Sequence, residues 1–378
     1  MSHQVPMPTR ETIEELAKVR EPGCVSIYLP ALEPGGDVGE LRLRIRAAWT
    51  DAAAQLIADG LDDGTVAAVG ARIDALVGSR DIWQEATGGM AIFVRPSSAV
   101  TFHLNDRPTP LTAAADRFVI TPLLAAATSY VPAFLLALSD NAVRLLDLTA
   151  ADAPRPIEVP GMPDDLKSAV ALDLTGDRNT LAHLKISEDH KTRVAEFARR
   201  VDGAVRPIVE DHARPLVLAA AEPVASIFRA TSKCTRLEGA TIVGNPEDRP
   251  VRELQEAAQR VLRARHVADV VETLEEARER GRVVTSLDDV AASAAAGAVD
   301  TLVVDPDKRM PGSFDESTGD VHVDRSGSSH GRDIVDDVVR QALRTGTTIE
   351  VLRDVGMPGG GAVAAILRYV PAAVGERR

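Results

Sequence analysis

The segment AFLLALSDNAVRLLDLT, residues 133–149, consists of two apolar runs separated by Ser-Asp-Asn. Asparagine and aspartate favour tight turns, and two apolar runs joined by such a turn are typical of a β-hairpin. Further along, RPLVLAAAE at residues 214–222 predicts a buried strand that leads into a helix near residues 223–230. The hairpin therefore begins a new sheet, and the alternation after it indicates an α/β domain.

The sequence before the hairpin predicts a separate α/β domain that ends near residue 125. Residues 9–20 have the pattern of a helix capped by Thr9 or Thr12, with acidic residues in the first turn. The other predicted elements are a strand at 23–31, a helical region at 38–79 broken near Gly60 to Gly64, and strands at 88–96 and 99–104.

An uncharged stretch at residues 118–139 is long enough to cross a bilayer. Pro122, Pro132 and the polar residues between them favour a connecting segment followed by a buried strand instead. The N-terminal residues contain no apolar run of the kind found in signal peptides. We therefore expect no membrane partner.

The C-terminal part, from residue 251, has the pattern of a third α/β domain with both sheet faces covered. Residues 250–282 give the strongest helical signal in the chain and predict a solvated helix pair. GGGAVAAILRY, residues 359–369, resembles a phosphate-binding loop at its start. Such a loop needs a following lysine and helix, so we predict a strand entered through a glycine turn.

Composition limits the possible functions. The 378 residues carry a net charge of −13, which argues against a protein that coats nucleic acid with an overall basic surface, although a local basic patch is compatible with it. Cys24 and Cys234 are too few for a disulfide framework or a cysteine zinc site. This usage is typical of the reducing cytoplasm.

No motif in the sequence predicts a catalytic, metal or cofactor site by itself. GSSHG at residues 327–331 fits the nucleophile-elbow pattern. In such hydrolases the catalytic histidine comes after the serine and the acid in the chain, but no histidine follows His330 here. Asp140, Asp147 and Asp173 lie near predicted strands, so a metal-dependent nuclease or hydrolase remains an alternative.

Basic residues form two clusters that could contact the backbone of a folded RNA. The first lies near the start of a long helix and comprises Arg42, Arg44 and Arg46. The second comprises Lys185, Lys191, Arg193, Arg199 and Arg200. On a helix Arg193 and Arg200 lie about two turns apart and can share a face. The alternative is a solvated helix surface, with pairing to Glu188, Asp189 and Glu196.

Several short motifs occur in an order that resembles a known superfamily. They are CVSIYLP at 24–30, GGMAIF at 88–93, FLLALSDNAVRLL at 134–146, RPLVLAAAEPVASIFR at 214–229, IVGNP at 242–246 and GGGAVAAILRY at 359–369. Together they resemble the archaeal and eukaryotic class 1 release factors and Pelota, and especially the bacterial branch of that superfamily.

The resemblance implies three domains. They are an N-terminal α/β domain at residues 1–125, a central RNase H-like domain at 126–250, and a C-terminal α/β/α sandwich resembling kink-turn-binding ribosomal proteins at 251–378.

In release factors of this superfamily, a Gly-Gly-Gln loop of the central domain positions water for ester hydrolysis. The loop in the corresponding place here, TGDRNT at residues 175–180, has one glycine and no glutamine. Its polar residues are instead included in the predicted RNA-binding surface: Gly176, Asp177, Arg178, Asn179 and Thr180.

The resemblance thus implies a non-catalytic factor that occupies the ribosomal A site and contacts rRNA. Balon-like members are ribosome hibernation factors delivered with elongation factor Tu, and the resemblance extends to that role. A ribosome-independent interaction module is a further alternative.

Overall fold

The computed structural model describes residues 8–32, 37–79, 88–105, 107–149, 154–171, 185–325, 332–353 and 357–369. The chain forms two compact units. The central unit comprises Tyr130–His266, and the split unit comprises Met1–Ser129 together with Val267–Arg378.

The helices and strands up to residue 129 are α1 (Arg10–Lys18), β1 (Cys24–Pro30), α2 (Val38–Ala58), α3 (Asp63–Gly78), β2 (Gly89–Arg95), β3 (Ser98–Leu104), β4 (Leu111–Ala115) and α4 (Thr121–Thr128). Next come β5 (Phe134–Leu138), β6 (Val143–Asp147), β7 (Arg155–Ile157), α5 (Leu166–Ala171), α6 (Lys185–Asp211), β8 (Leu216–Ala220), α7 (Val224–Thr231), β9 (Leu237–Val243) and α8 (Val251–Glu279). The last are β10 (Val283–Val284), α9 (Leu287–Ala295), β11 (Val299–Val304), β12 (Gly312–Phe314), β13 (Val321–Val323), α10 (Ile334–Arg344), β14 (Thr348–Val351) and β15 (Val363–Leu367).

The predicted hairpin of residues 133–149 forms the middle of the central sheet. Its strands β5 and β6 are antiparallel, with Phe134 opposite Asp147 and Leu138 opposite Val143. The full strand order is β7-β6-β5-β8-β9, in which β5, β8 and β9 run parallel. One apolar cluster joins the sheet to α5, α6 and α7, and another joins its other face to the first part of α8. Both faces are therefore covered, as is typical of a sheet with parallel strands.

The split unit contains two four-stranded sheets and a hairpin. One sheet has the order β3-β2-β1-β4, the other has the order β10-β15-β11-β14, and β12 pairs with β13. A single apolar cluster includes Tyr28 and Phe93 of the first sheet together with Val290 of α9 and Val338 of α10. The multi-sheet α/β class predicted from the sequence is confirmed. The division at residues 125 and 250 stays a prediction, because packing alone does not decide which segments fold independently.

The glycine run before β15 does not form a phosphate loop. Pro358–Gly360 forms a short 3-10 turn in which Gly359 and Gly360 have φ angles of 72° and 66°. Such angles disfavour residues with a Cβ, so the glycines permit the turn. The fully buried β15 then pairs with both β10 and β11. The prediction of a strand entered through a glycine turn is confirmed.

Two predictions were wrong in detail, and two strands were missed. The connecting segment before the hairpin contains helix α4, with Pro122 in its first turn, where the missing N–H costs no hydrogen bond. Residues 251–279 form one helix and not a pair. Strands β4 and β9 were not predicted, because LTAAA has a single β-branched residue and LEGATIV is interrupted by Gly239. Within the described residues, no helix combines the length and apolar composition needed to cross a membrane.

Candidate nucleic-acid interface

Helix α6 holds most of the second basic cluster and is fixed to the central sheet by an apolar stripe. Val194, Phe197 and Val201 are fully buried, and so are Val205 and Val209 further along the helix. Their spacing places them on one helical face, which packs against the sheet. The polar residues of α6 are consequently directed to the other side, where they can meet a partner.

Lys191 and Arg193 are two accessible cations on the described part of this helix. Both are exposed, and neither has an ion-pair partner among the described side chains. A cation without an internal partner can neutralise a phosphate without first breaking an ion pair. Among the cations whose side chains are described, these two are the best placed for contact with RNA, and the possible partners Glu188 and Asp189 have side chains outside the described residues.

Arg199 and Arg200 are held by contacts within the protein. The Nη1 of Arg199 lies 2.5 Å from a carboxylate oxygen of Glu196, and the Nε of Arg200 lies 3.3 Å from the other. Arg200 also donates a hydrogen bond of 2.7 Å from Nη1 to the carbonyl oxygen of Ala169. The pairing with Glu196 that was the alternative to RNA binding is thus present for these two arginines.

An open groove of about 510 Å³ runs beside Arg200. Its walls come from the segment Pro160 to Asp164, from Ser168 and Ala169 of α5, and from Gly203 and Ala204 of α6. A Cβ added at Gly203 would have no neighbour within 4 Å, so the groove is open above that residue. Arg200 lies about two turns after Arg193, and both therefore border the same side of α6.

Part of the predicted surface lies outside the described residues. This applies to Gly176, Asp177, Arg178, Asn179 and Thr180, to Asp173, and to the segment 327–331 that contains GSSHG. Lys185 begins α6, but its side chain is also outside the description. The predicted RNA-binding role of these residues stays a prediction.

The first basic cluster does not form one patch. Arg42, Arg44 and Arg46 lie on α2 of the split unit, where alternate residues point about 200° apart. Arg44 pairs with Glu40 at 2.6 Å, while Arg46 is exposed on another side of the helix. The Nε of Arg42 is buried without a hydrogen-bond partner among the described atoms. The three arginines therefore cannot approach one phosphate together.

The carboxylates proposed for a nuclease are too far apart to share a metal ion. Asp147 ends β6 opposite Phe134, whereas Asp140 lies in the turn beyond Leu138 at the other end of the hairpin. Four strand residues separate the two ends by about 13 Å or more, but metal ligands lie within about 2.6 Å of their ion. Asp147 instead accepts a hydrogen bond from the Thr149 amide at 2.8 Å. Asp140 and Asp147 therefore cannot bind one metal ion together, as the nuclease alternative required.

Within the described ranges, no group of three His, Cys, Asp or Glu side chains is arranged to hold a metal ion.

A buried ionic cluster in the split unit was not predicted from the sequence. Asp336 accepts hydrogen bonds from the amides of Ile120 and Thr121 at 2.7 and 2.8 Å, and Arg340 lies 3.1 Å from it. Arg340 also donates to the carbonyl oxygen of Ala17 at 2.7 Å. The signal was an Asp and an Arg four residues apart within the apolar helix IVDDVVRQALR. The cluster joins elements from the two ends of the chain.

Burial also perturbs an acid next to this cluster. It raises the pKa of Asp333 to about 6, although the Arg309 guanidinium opposes the shift. Asp333 accepts hydrogen bonds from the amides of Met310 and Val335, so it fixes the start of α10. These contacts hold the backbone in place, and Asp333 is a structural residue.

Comparison with known proteins gives one match to a family model. Residues 131–268 match the model of bacterial archaeo-eukaryotic release factor family 11. This segment begins just before the predicted hairpin and includes α5, α6, α7 and the first part of α8. No curated protein matches the chain.

Several solved structures match most of the chain at low identity. Archaeal translation termination factor aRF1 is 15% identical, with 95% of this chain and 96% of that chain covered and a TM-score of 0.26. A model of ribosome-bound archaeal Pelota and ABCE1 is 15% identical, with 96% and 94% covered and a TM-score of 0.37. Saccharomyces cerevisiae Dom34 is 12% identical, with 74% and 75% covered and a TM-score of 0.34. TM-scores this low do not bear on function.

The central sheet and its α6 helix lie within the segment that matches a bacterial archaeo-eukaryotic release factor family. This match agrees with the superfamily that the order of the motifs indicated.

Proposed function

We propose that this protein is a translation factor that binds the ribosome without releasing the nascent peptide. The match of residues 131–268 to a release factor family is the observation that carries this proposal. No Gly-Gly-Gln tripeptide occurs in the sequence, which supports a role without ester hydrolysis. The factor would act in the cytoplasm, where its partner is the ribosome.

The proposed contact with rRNA runs through α6 of the central unit. Arg193 and the groove beside Arg200 would face the same RNA, and Lys191, which points about 200° away from Arg193 on the helix, would bind a separate phosphate. A few placed cations are sufficient for such docking, because phosphate contacts position a protein without requiring a positive field over its whole surface. The net charge of −13 is compatible with this kind of local contact.

Finer parts of the proposal concern where and when binding occurs. Occupation of the A site, delivery with elongation factor Tu and action in hibernation, stalling or other stress follow from the resemblance to Balon-like proteins. They predict that the protein sediments with ribosomes from starved cells. Sedimentation only at the top of the gradient under every growth condition would contradict them.

The test is binding of purified protein to purified ribosomes across a series of salt concentrations. We expect the double substitution K191E/R193E to weaken binding about 10-fold to 100-fold near physiological salt. It should also make the salt dependence shallower. The negative slope of log affinity against log salt should decrease in magnitude by about 0.7 for each RNA phosphate that the variant no longer neutralises. Sedimentation of the complex with ribosomes measures both quantities.

The matched control is R260E/R263E, which makes the same charge change at two exposed positions of α8. Both pairs of positions lie in the central unit, so a general electrostatic effect would weaken the two variants alike. Equal affinities for K191E/R193E and the unmodified protein would show that α6 does not contact RNA. Release of peptide by the unmodified protein would contradict the non-catalytic role.

A further inference from the structure

Helix α2 exposes an apolar face that no described part of the chain covers. Leu43 is 66% exposed and Ile57 is 60% exposed, although both are large aliphatic side chains. Between them on the same face lie the exposed residues Ala47, Thr50 and Ala54. The successive spacings are 4, 3, 4 and 3 residues, the repeat by which two α-helices pack side by side. We call these five residues the α2 seam.

The α2 seam is distinct from the face by which the helix joins its own domain. Leu41, Ile45, Ala48, Ala52 and Leu56 are the buried residues of α2, and they pack with the first sheet of the split unit and with α3. At about 100° per residue this buried stripe lies opposite the seam. The helix therefore has two apolar faces, and only one of them is explained by the fold of the chain.

Two charged residues flank the seam at the spacing expected for a pair between helices. Arg46 lies on one side and Asp51 on the other, five residues later. Both are exposed, and neither has an ion-pair partner among the described side chains. In a parallel two-stranded coiled coil, the residue just before one a position faces the residue five places later on the partner helix. Arg46 of one helix would then meet Asp51 of the other, once on each side of the contact.

We propose that α2 is a self-association surface, through which two copies of this protein pair their α2 helices in parallel and in register. Leu43, Thr50 and Ile57 occupy d positions of this contact, and Ala47 and Ala54 occupy a positions. The two-fold axis runs along the seam, and this places the bodies of the two copies on opposite sides of the contact. Two Arg46–Asp51 pairs fix the direction and the register.

The size of the contact determines its strength. The five layers of side chains from two helices bury a surface area at or below the roughly 1,000 Å² that a stable interface needs. The dimer is therefore weak and concentration-dependent, with a dissociation constant in the micromolar range or above. A protein of this kind is a monomer when dilute and pairs where it is locally concentrated. This inference is independent of the proposed ribosome binding.

Cysteine cross-linking of the full chain tests the arrangement. Cys24 and Cys234 are both buried, so an introduced surface thiol is the reactive one. We expect A47C and A54C each to form a disulfide-linked dimer alone, because parallel in-register helices place equivalent residues side by side. An antiparallel contact would instead link the two variants only when they are mixed. A third variant, A58C, lies beside the seam and should cross-link poorly.

Charge exchange gives a second test that does not depend on cross-linking. In sedimentation equilibrium, R46D and D51R should each weaken dimerisation, and the double variant R46D/D51R should restore it, since the pair is re-formed with reversed charges. L43E should raise the dissociation constant about 100-fold or more, because two apolar side chains leave the contact. Circular dichroism of L43E verifies that the protein remains folded.

Two results would overturn the proposal. One is a protein that remains monomeric at every concentration up to about 1 mM, because a dissociation constant of about 1 mM is the weak end of the usual scale of specific binding. The other is a dimer whose dissociation constant is unchanged in L43E and in both single charge variants. A monomer in which L43E instead weakens binding to ribosomes would assign the surface to the ribosome.

Discussion

Asp336 and Arg340 form a buried ion pair, at 3% and 1% side-chain exposure. Asp336 also accepts hydrogen bonds from the amides of Ile120 and Thr121, and these hold the first turn of α4 against α10. Removing one member of such a pair leaves an uncompensated charge in a site with little water. The pair thus ties residues more than 200 positions apart in sequence, and its stability depends on both partners being present.

We expect R340M to lower the free energy of unfolding by about 3–5 kcal/mol, because it leaves Asp336 buried without its cation. The matched control is R344M on the same helix. Arg344 pairs with Glu316 but its side chain is 44% exposed, so the decrease there should be below about 1 kcal/mol. Urea unfolding of both variants measures the difference. Similar decreases in the two variants would show that burial does not control the strength of these ion pairs.

Single residues also show where sequence reasoning about a site fails. The sequence identified the cations of α6, but it could not tell that Arg200 donates to the Ala169 carbonyl while Arg193 has no ion-pair partner among the described side chains. That difference depends on a residue 31 positions away. Likewise the three arginines of α2 are close together in sequence, but helical geometry places Arg44 on the opposite side from Arg42 and Arg46. Residue type was predictable from the sequence, whereas availability for binding was not.

At the scale of elements, α6 combines a structural face with a polar face that carries opposed charges. Glu196 pairs with both Arg199 and Arg200, and it therefore reduces the positive charge of the surface next to Arg193. An RNA that approaches α6 must compete with this carboxylate for the two guanidinium groups. Glu196 consequently tunes how strongly the helix can bind phosphate.

We expect E196Q to raise the affinity for ribosomes several-fold and to steepen its salt dependence, since the substitution frees Arg199 and removes a negative charge near the RNA. The control is E210Q, at an exposed position near the other end of the same helix, where the same charge change should have a smaller effect. The salt-series binding measurement compares them. Weaker binding of E196Q would contradict the orientation of α6 toward RNA.

Elements with strong local signals were predictable from the sequence. Thr9 caps α1 by accepting a hydrogen bond from the Thr12 amide, and the break between α2 and α3 falls where the glycines indicated. The elements that were missed, such as β4 with its alanine run, are stabilised by their neighbours. Alanine has little preference for strands, so pairing with β1 decides its conformation. Tertiary contacts of this kind leave no local trace in the sequence.

At the scale of the whole molecule, the chain leaves the split unit after residue 129 and returns to it at residue 267. The apolar core of the split unit therefore contains residues from both ends, such as Phe93 and Val338, while the central unit has clusters of its own. The order of the motifs along the sequence indicated three domains in a row. It could not show that the first and last segments share a core, because that contact has no signal within either segment.

Separate cores predict two unfolding transitions. Trp49 packs against a core of the split unit, so tryptophan fluorescence measured in a W83F background follows that unit alone, whereas circular dichroism follows both units. F197A removes a fully buried side chain from the central unit and should destabilise that unit by about 3–5 kcal/mol. In urea, F197A should shift part of the dichroism curve and leave the fluorescence midpoint unchanged.

The reciprocal variant is F93A, which removes a ring packed against Tyr28 and Phe118 in the split unit. It should lower the fluorescence midpoint and leave the central-unit part of the dichroism curve in place, because the two cores share no buried apolar cluster among the described residues. If F197A and F93A shift the fluorescence midpoint equally, the two units unfold as one cooperative body. Separate shifts would mean that the central unit can be destabilised, or altered to change ribosome binding, while the split unit stays folded.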